Sequence, residues 1–135
     1  MVQGLHRLEE RMIEPRTLVA VVDDDESVRE SLPDLLRTLG YDAEAFASAE
    51  AFLTSGSIPD TRCLILDIAM PGMSGPQLQQ ELKRRGHMFP IIFITARADK
   101  GVRAGLLRKG AVDCLFKPFS EQDIRAALDA ALPRS

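Results

Sequence analysis

The stretch that decides the fold reads LVAVVDDD and spans residues 18–25. It consists of five consecutive apolar residues, three of them valines, followed by three aspartates. A short aliphatic run without polar alternation is typical of a strand that is buried on both faces, as in a parallel sheet. We therefore predict a central β-strand whose carboxyl end carries acidic side chains.

The rest of the chain repeats this plan. Further strands are predicted at 42–46, 63–66, 90–94 and 111–116. Helices with one apolar face are predicted at 28–39, 48–53, 77–85, 102–109 and 121–132. Because strands alternate with helices over short loops, the pattern indicates an α/β fold, with a doubly wound sheet and helices on both faces.

The chain length favours a single domain. Its 135 residues, 45% of them apolar, suffice for one compact core. Residues 1–16 are mostly polar and charged and are predicted to be an N-terminal leader outside the fold, flexible or a short helix. The domain is predicted to span 17–132, and Pro133 begins a C-terminal tail of 133–135.

Composition argues against several classes of function. A net charge of −3 gives no basic field for phosphate backbones or anionic lipid, so a protein partner is favoured over nucleic acid or a membrane. Cys63 and Cys114 lie in apolar runs and are predicted to be small buried side chains, which suits a reducing compartment. No stretch has the character of a signal peptide or a membrane span, so we expect a cytoplasmic protein.

Polar side chains follow four of the predicted strands. Asp23 and Asp24 follow the first strand, Asp67 the third, Thr95 the fourth and Lys117 the fifth. The carboxyl ends of the strands meet at one edge of such a sheet, where ligands bind. Three neighbouring carboxylates repel one another unless a cation lies among them, and oxygen ligands suit Mg²⁺ or Mn²⁺. The sequence therefore predicts a divalent-metal site at this edge.

The same residues suit phosphoryl transfer. A carboxylate such as Asp67 can attack phosphorus and form an acyl phosphate. Phosphoryl transfer depends mainly on positioning and charge neutralisation, which a metal ion, the Lys117 ammonium and the Thr95 hydroxyl can supply.

Four short blocks resemble the signature motifs of bacterial response-regulator receivers: VVDDDE at 21–26, DIAMPGMSG at 67–75, ITA at 94–96 and KPF at 117–119. The resemblance extends from Thr17 to Leu132. Receivers of the nitrogen-fixation type are the most similar in amino-acid sequence over residues 27–36, 70–71 and 110–113. Those usually carry a helix-turn-helix DNA-binding domain, which is not expected within these residues.

The resemblance implies a flavodoxin-like sheet of five parallel strands in the order 2-1-3-4-5. It implies that a sensor histidine kinase or phosphotransfer protein phosphorylates Asp67, in a phosphorelay of a two-component regulatory system. The metal ligands would be Asp23, Asp24, Asp67 and the backbone carbonyl of Ala69. The chain would catalyse its own phosphorylation and dephosphorylation and would not otherwise be an enzyme.

The resemblance also implies how the signal leaves the site. Thr95 would be the switch hydroxyl, Lys117 would pair with the phosphoryl group, and the bond to Pro118 would be cis. A homodimer would use the fourth helix, fifth strand and fifth helix. One position departs from the family pattern, because Cys114 stands where an aromatic residue usually follows the state of the threonine.

Two alternatives stay open at this point. One is a Mg²⁺-dependent aspartyl-phosphate phosphatase of the haloacid dehalogenase type, which usually needs a second aspartate where this chain has Ala69. The other is a degenerate receiver that serves only as a protein-interaction module. The missing aromatic residue favours this second alternative, whereas the intact set of acidic residues, threonine and lysine argues against it.

Overall fold

The fold is given by a computed structural model, which describes residues 16–96 and 100–133. The predicted leader, apart from Arg16, and the last two residues of the predicted tail lie outside the described residues. The elements in chain order are β1 Leu18–Val22, α1 Glu26–Thr38, β2 Asp42–Phe46, α2 Ala49–Leu53, a 3₁₀ turn Ile58–Asp60, β3 Thr61–Asp67, α3 Gly75–Arg84, β4 Ile91–Thr95, α4 Lys100–Arg108, β5 Asp113–Phe116 and α5 Glu121–Ala131.

Within the described residues, the strands form one five-stranded sheet in the order β2-β1-β3-β4-β5. Every neighbouring pair is parallel, and Val19 of β1 pairs with Ala43 on one side and Cys63 on the other. The predicted fold class and strand order are confirmed. All five strands therefore end at the same edge of the sheet, which we call the carboxyl edge.

The core has two layers because the sheet is buried on both faces. One layer packs the sheet against α2, α3 and α4 and includes Phe52, Leu78 and Phe93. The other packs it against α1 and α5 and includes Leu32 and Ile65. Full burial of such a side chain contributes about 1.5 to 3 kcal/mol. The two layers hold the strands rigidly, and this fixes the positions of the residues at their ends.

Some element boundaries differ from the sequence prediction. β3 begins at Thr61 rather than at residue 63, because the 3₁₀ turn leads directly into pairing with Leu18. β5 begins at Asp113 rather than at residue 111. α3 begins at Gly75, since Ser74 and Gln77 form a capping box that the prediction overlooked.

The helices of the described part of the chain are short. None of them is long and apolar enough to cross a membrane.

Candidate metal centre

The carboxyl edge brings the predicted site residues together. Asp23 follows β1, Asp67 and Thr95 are the last residues of β3 and β4, and Lys117 follows β5. One carboxylate oxygen from each of Asp23, Asp24 and Asp67 lies within 4.8 Å of the other two. Residues 44 positions apart in sequence, Asp23 and Asp67, thus form one acidic cluster.

Asp23 is the most deeply buried member of this cluster, with an exposed fraction of 0%. Its Oδ1 accepts a hydrogen bond of 2.9 Å from the backbone N–H of Asp25. Its Oδ2 lies 2.9 Å from the Nζ of Lys117. Although this contact is short, Oδ2 accepts no hydrogen bond of acceptable geometry from the described residues. A buried carboxylate oxygen that faces a positive charge but accepts no well-aligned hydrogen bond fits a site that binds a cation.

Lys117 supplies a positive charge to the cluster. Its Nζ is 2.9 Å from Asp23 and 4.0 Å from the nearer oxygen of Asp67. Burial alone would lower the pKa of Lys117, but the pairing with Asp23 and the charge of Asp67 outweigh burial, and its pKa is raised. One ammonium therefore serves two buried carboxylates, which leaves negative charge uncompensated.

Burial and this surplus charge both favour the protonated form of Asp67. Burial and the nearby charge of Asp23 raise the pKa of Asp67 to about 7, against the opposing effect of Lys117. Without a cation, Asp67 therefore holds a proton over much of the acidic pH range. The set of carboxylate oxygens suits a hard divalent cation such as Mg²⁺ or Mn²⁺, which would displace that proton.

The loop after β1 is held by the start of α1. Asp25 caps the helix, accepting hydrogen bonds from the backbone N–H and the Oγ of Ser27 at 2.9 and 2.8 Å. Hydrogen bonds from Ser27 lower the pKa of Asp25. The guanidinium of Arg29 donates to the backbone carbonyl of Asp23 at 3.1 Å. This role of Arg29 was not predicted, although an arginine one turn into the helix can reach back to the preceding loop.

The loop after β3 carries Ala69, which is exposed. The N–H of Gly75 donates to the carbonyl of Ile68 at 2.9 Å and closes the loop. A Cβ at Gly75 would collide with the backbone carbonyl of Asp67, so the close approach requires glycine. That the carbonyl of Ala69 binds the metal stays a prediction.

The ends of β4 and β5 join the site through the backbone. The N–H of Lys117 donates to the carbonyl of Thr95 at 2.8 Å. The Lys117–Pro118 peptide bond is cis, the isomer that the resemblance implies. Thr95 is 6% exposed, so this residue is buried at the end of β4.

Cys114 occupies a buried position next to Phe93 in the neighbouring strand, and burial raises the pKa of its thiol. Phe116 pairs with Thr95 across the two strands. Parallel partners point to the same face of a sheet, so Phe116 is the aromatic residue beside Thr95. Phe119 packs instead in the layer of α1 and α5.

On the surface of α4, β5 and α5, an ion pair between described residues links α4 to β5. Arg103 of α4 donates to Asp113 of β5 at 2.8 Å. The predicted homodimer through this surface stays a prediction.

Comparisons with known proteins agree with this geometry. A family model described as the response regulator receiver domain matches residues 19–129. The response regulator protein TodT of Pseudomonas putida is 39% identical over 129 residues, which are 96% of this chain and 55% of TodT. The transcriptional regulatory protein FixJ of Azorhizobium caulinodans is 42% identical over 117 residues, 87% of this chain and 56% of FixJ.

Among solved structures, the crystal structure of FixJ-N is 38% identical with a TM-score of 0.74, covering 84% of this chain and 91% of that one. The likeness to FixJ is consistent with the predicted resemblance to nitrogen-fixation receivers. The chain spans about half the length of the curated relatives that it matches.

Proposed function

The chain belongs to the response regulator receiver family of two-component systems, and we propose that it is a phosphoacceptor in which Asp67 receives a phosphoryl group. The donor is the phosphohistidine of a sensor histidine kinase or of a phosphotransfer protein. The observation that carries this proposal is the cluster of Asp23, Asp24 and Asp67 at the carboxyl edge, where the single ammonium of Lys117 faces two buried carboxylates.

Asp23, Asp24, Asp67 and the backbone carbonyl of Ala69 would hold the metal, Mg²⁺ or Mn²⁺. When bound, the ion supplies positive charge to the phosphoryl oxygens and to the acidic cluster. Asp23 and Asp24 keep the cluster anionic enough to bind it, and Arg29 holds the loop that presents them.

In the transfer step, a carboxylate oxygen of Asp67 forms a bond to phosphorus while the P–N bond of the donor breaks. The electron pair of that bond goes to the departing imidazole of the donor histidine. Lys117 turns from Asp23 towards the phosphoryl oxygens, and Thr95 donates a hydrogen bond to one of them. Hydrolysis of the acyl phosphate by water returns Asp67 to its carboxylate, so the chain catalyses both reactions on itself.

The output would be a shift between two conformations, biased by the contact of Thr95 with the phosphoryl group. Phe116 lies beside Thr95 and is the aromatic residue placed to follow its movement. A change of this kind at α4 and β5 would favour the homodimer. We place the chain in the cytoplasm, where it can meet the kinase domain of the sensor. We assign it no direct contact with nucleic acid.

A degenerate receiver is the second candidate, since Cys114 replaces the usual aromatic residue. It would bind partners without being phosphorylated. The phosphatase alternative is less well supported because Ala69 provides no carboxylate two residues after Asp67.

The test is the intact mass of the protein after incubation with acetyl phosphate, with and without Mg²⁺. We expect a metal-dependent gain of one phosphoryl group that Asp67→Ala abolishes. A gain that persists in Asp67→Ala would show a different nucleophile, and no gain under any condition would favour the degenerate receiver.

A further inference from the structure

Glu50 makes a contact that its own helix does not require. It lies in the first turn of α2, where Ser48 already caps the helix by accepting a hydrogen bond from the N–H of Ala51 at 3.0 Å. The Oε2 of Glu50 instead accepts a hydrogen bond of 3.1 Å from the backbone N–H of Met73, 23 residues away. Met73 belongs to the loop of residues 68–74, which connects β3 to α3 and which we call the β3–α3 loop.

Gly72, the residue before Met73 in this loop, lies close to the same carboxylate. Gly72 has a φ of +75°, and a Cβ there would lie 2.9 Å from the Oε2 of Glu50. A side chain at this position would be strained by its backbone conformation and would also push the carboxylate away. The Oε2 of Glu50 therefore lies against two consecutive residues of the loop, Gly72 and Met73.

The two ends of the loop are anchored in other ways. Next to Asp67, Ile68 donates to the carbonyl of Ile94 at 3.1 Å, and Met70 is buried. At the far end, Ser74 caps α3. Between these anchors, Glu50 supplies a contact from another helix, directly to the backbone.

We propose that Glu50 is a positioning residue for the metal centre, acting through the β3–α3 loop. By holding Met73 and Gly72, it restricts the conformations of the loop that contains Ala69, the residue whose carbonyl would complete the ligand set. This inference rests on the proposed function. Outer contacts that orient metal ligands are worth roughly 10- to 100-fold in metal affinity.

The experiment is calorimetric titration of the full chain with Mg²⁺, using the native chain and three variants. Glu50→Ala should weaken binding about tenfold, at the lower end of that range because Glu50 is exposed. Glu50→Gln should stay within about twofold, since its amide oxygen accepts the same hydrogen bond. Glu30→Ala removes an exposed negative charge from α1 and is the matched control, with no more than a twofold change.

Hydrogen exchange gives a readout that does not depend on the metal. The amide of Met73 should lose protection in Glu50→Ala and keep it in Glu50→Gln. Unchanged Mg²⁺ affinity in Glu50→Ala would overturn the inference while leaving the proposed function standing. Equal weakening in Glu50→Ala and Glu50→Gln would overturn it as well, because charge rather than the hydrogen bond would then be responsible. If the native chain binds no Mg²⁺, the metal part of the proposed function fails and the inference falls with it.

Gly72→Ala provides a second test through a double-mutant cycle. Alone, it should weaken Mg²⁺ binding, because the new methyl group displaces the carboxylate of Glu50. In the Glu50→Ala background its effect should be smaller, since only the backbone strain remains. Equal effects in both backgrounds would show that Gly72 and Glu50 act independently and would overturn the proposal.

Discussion

Ile65 and Asp67 lie two residues apart on β3, and both are buried, yet their surroundings are opposite. Ile65 is enclosed by aliphatic side chains in the layer of α1 and α5. Asp67 faces the carboxylate of Asp23 and shares one ammonium with it. The interior of the sheet thus follows the rules of a dry core, whereas the carboxyl edge collects like charges that burial makes unfavourable. Stability should come from the first region and function from the second.

The largest effect should follow from damage to the interior. Phe52 is fully buried and packs edge-on against Phe46, with ring centroids 5.3 Å apart. Phe52→Ala should lower the free energy of unfolding by about 3 to 5 kcal/mol in urea denaturation. Met88→Ala is the control, because its side chain is 78% exposed, and it should change stability by less than about 0.5 kcal/mol. Similar losses in the two variants would break the comparison.

Lys117→Ala should separate transfer from metal binding. We expect phosphorylation by acetyl phosphate to slow by about 100-fold or more, since a preorganised charge at the transferring group is lost. The affinity for Mg²⁺ should be largely kept, because Lys117 is not a ligand. Mass spectrometry measures the first quantity and calorimetry the second. Complete loss of metal binding would contradict this division of roles.

Asp67→Asn should stabilise the metal-free protein, unlike substitutions in the interior. The pKa of Asp67 is raised to about 7 in the folded chain from an ordinary value of 3.8. Deprotonation therefore favours the unfolded chain, and the stability of the native protein falls as pH rises from about 4 through about 7. The gain from Asp67→Asn should be absent below pH 4 and should grow with pH to no more than about 4 kcal/mol at pH 8.

The matched control for that variant is Asp129→Asn, in an exposed position of α5. Urea denaturation at several pH values should show little change for Asp129→Asn at any pH. If Asp67→Asn were destabilising at pH 8 without metal, repulsion between the buried carboxylates of the carboxyl edge would not destabilise the folded chain.

The smallest effect should come from a helix cap next to the carboxyl edge. Ser120 caps α5, and its Oγ accepts a hydrogen bond of 3.0 Å from the N–H of Asp123. Ser120→Ala should cost about 1 kcal/mol, and the loss should be the same with and without Mg²⁺. A loss that depended on Mg²⁺ would mean that the cap belongs to the site.

The contrast between the two regions also explains what sequence could predict. The positions of the aliphatic strands could be predicted because a strand buried on both faces of a parallel sheet is a short run of apolar residues. The acidic residues were found because they end such runs. Contacts between distant elements were not predicted. No local pattern reveals that Glu50 reaches Met73, because this contact exists only after folding.

Some predicted boundaries of strands and helices were wrong for a related reason. The start of β5 was misplaced because residues 111 and 112 are apolar like a strand, although only the N–H of Val112 bonds to β4. The structure was also needed to identify the residue next to Thr95, because only the register of β4 and β5 shows that it is Phe116.

The most direct test of the account is the free energy of unfolding of the native chain at pH 8, measured in urea with and without Mg²⁺. A cation that relieves the repulsion at the carboxyl edge must stabilise the folded chain, by about 1.4 kcal/mol at ten times its dissociation constant. We predict this gain for the native chain. An unchanged free energy of unfolding at saturating Mg²⁺ would contradict the claim that the acidic cluster is a metal centre.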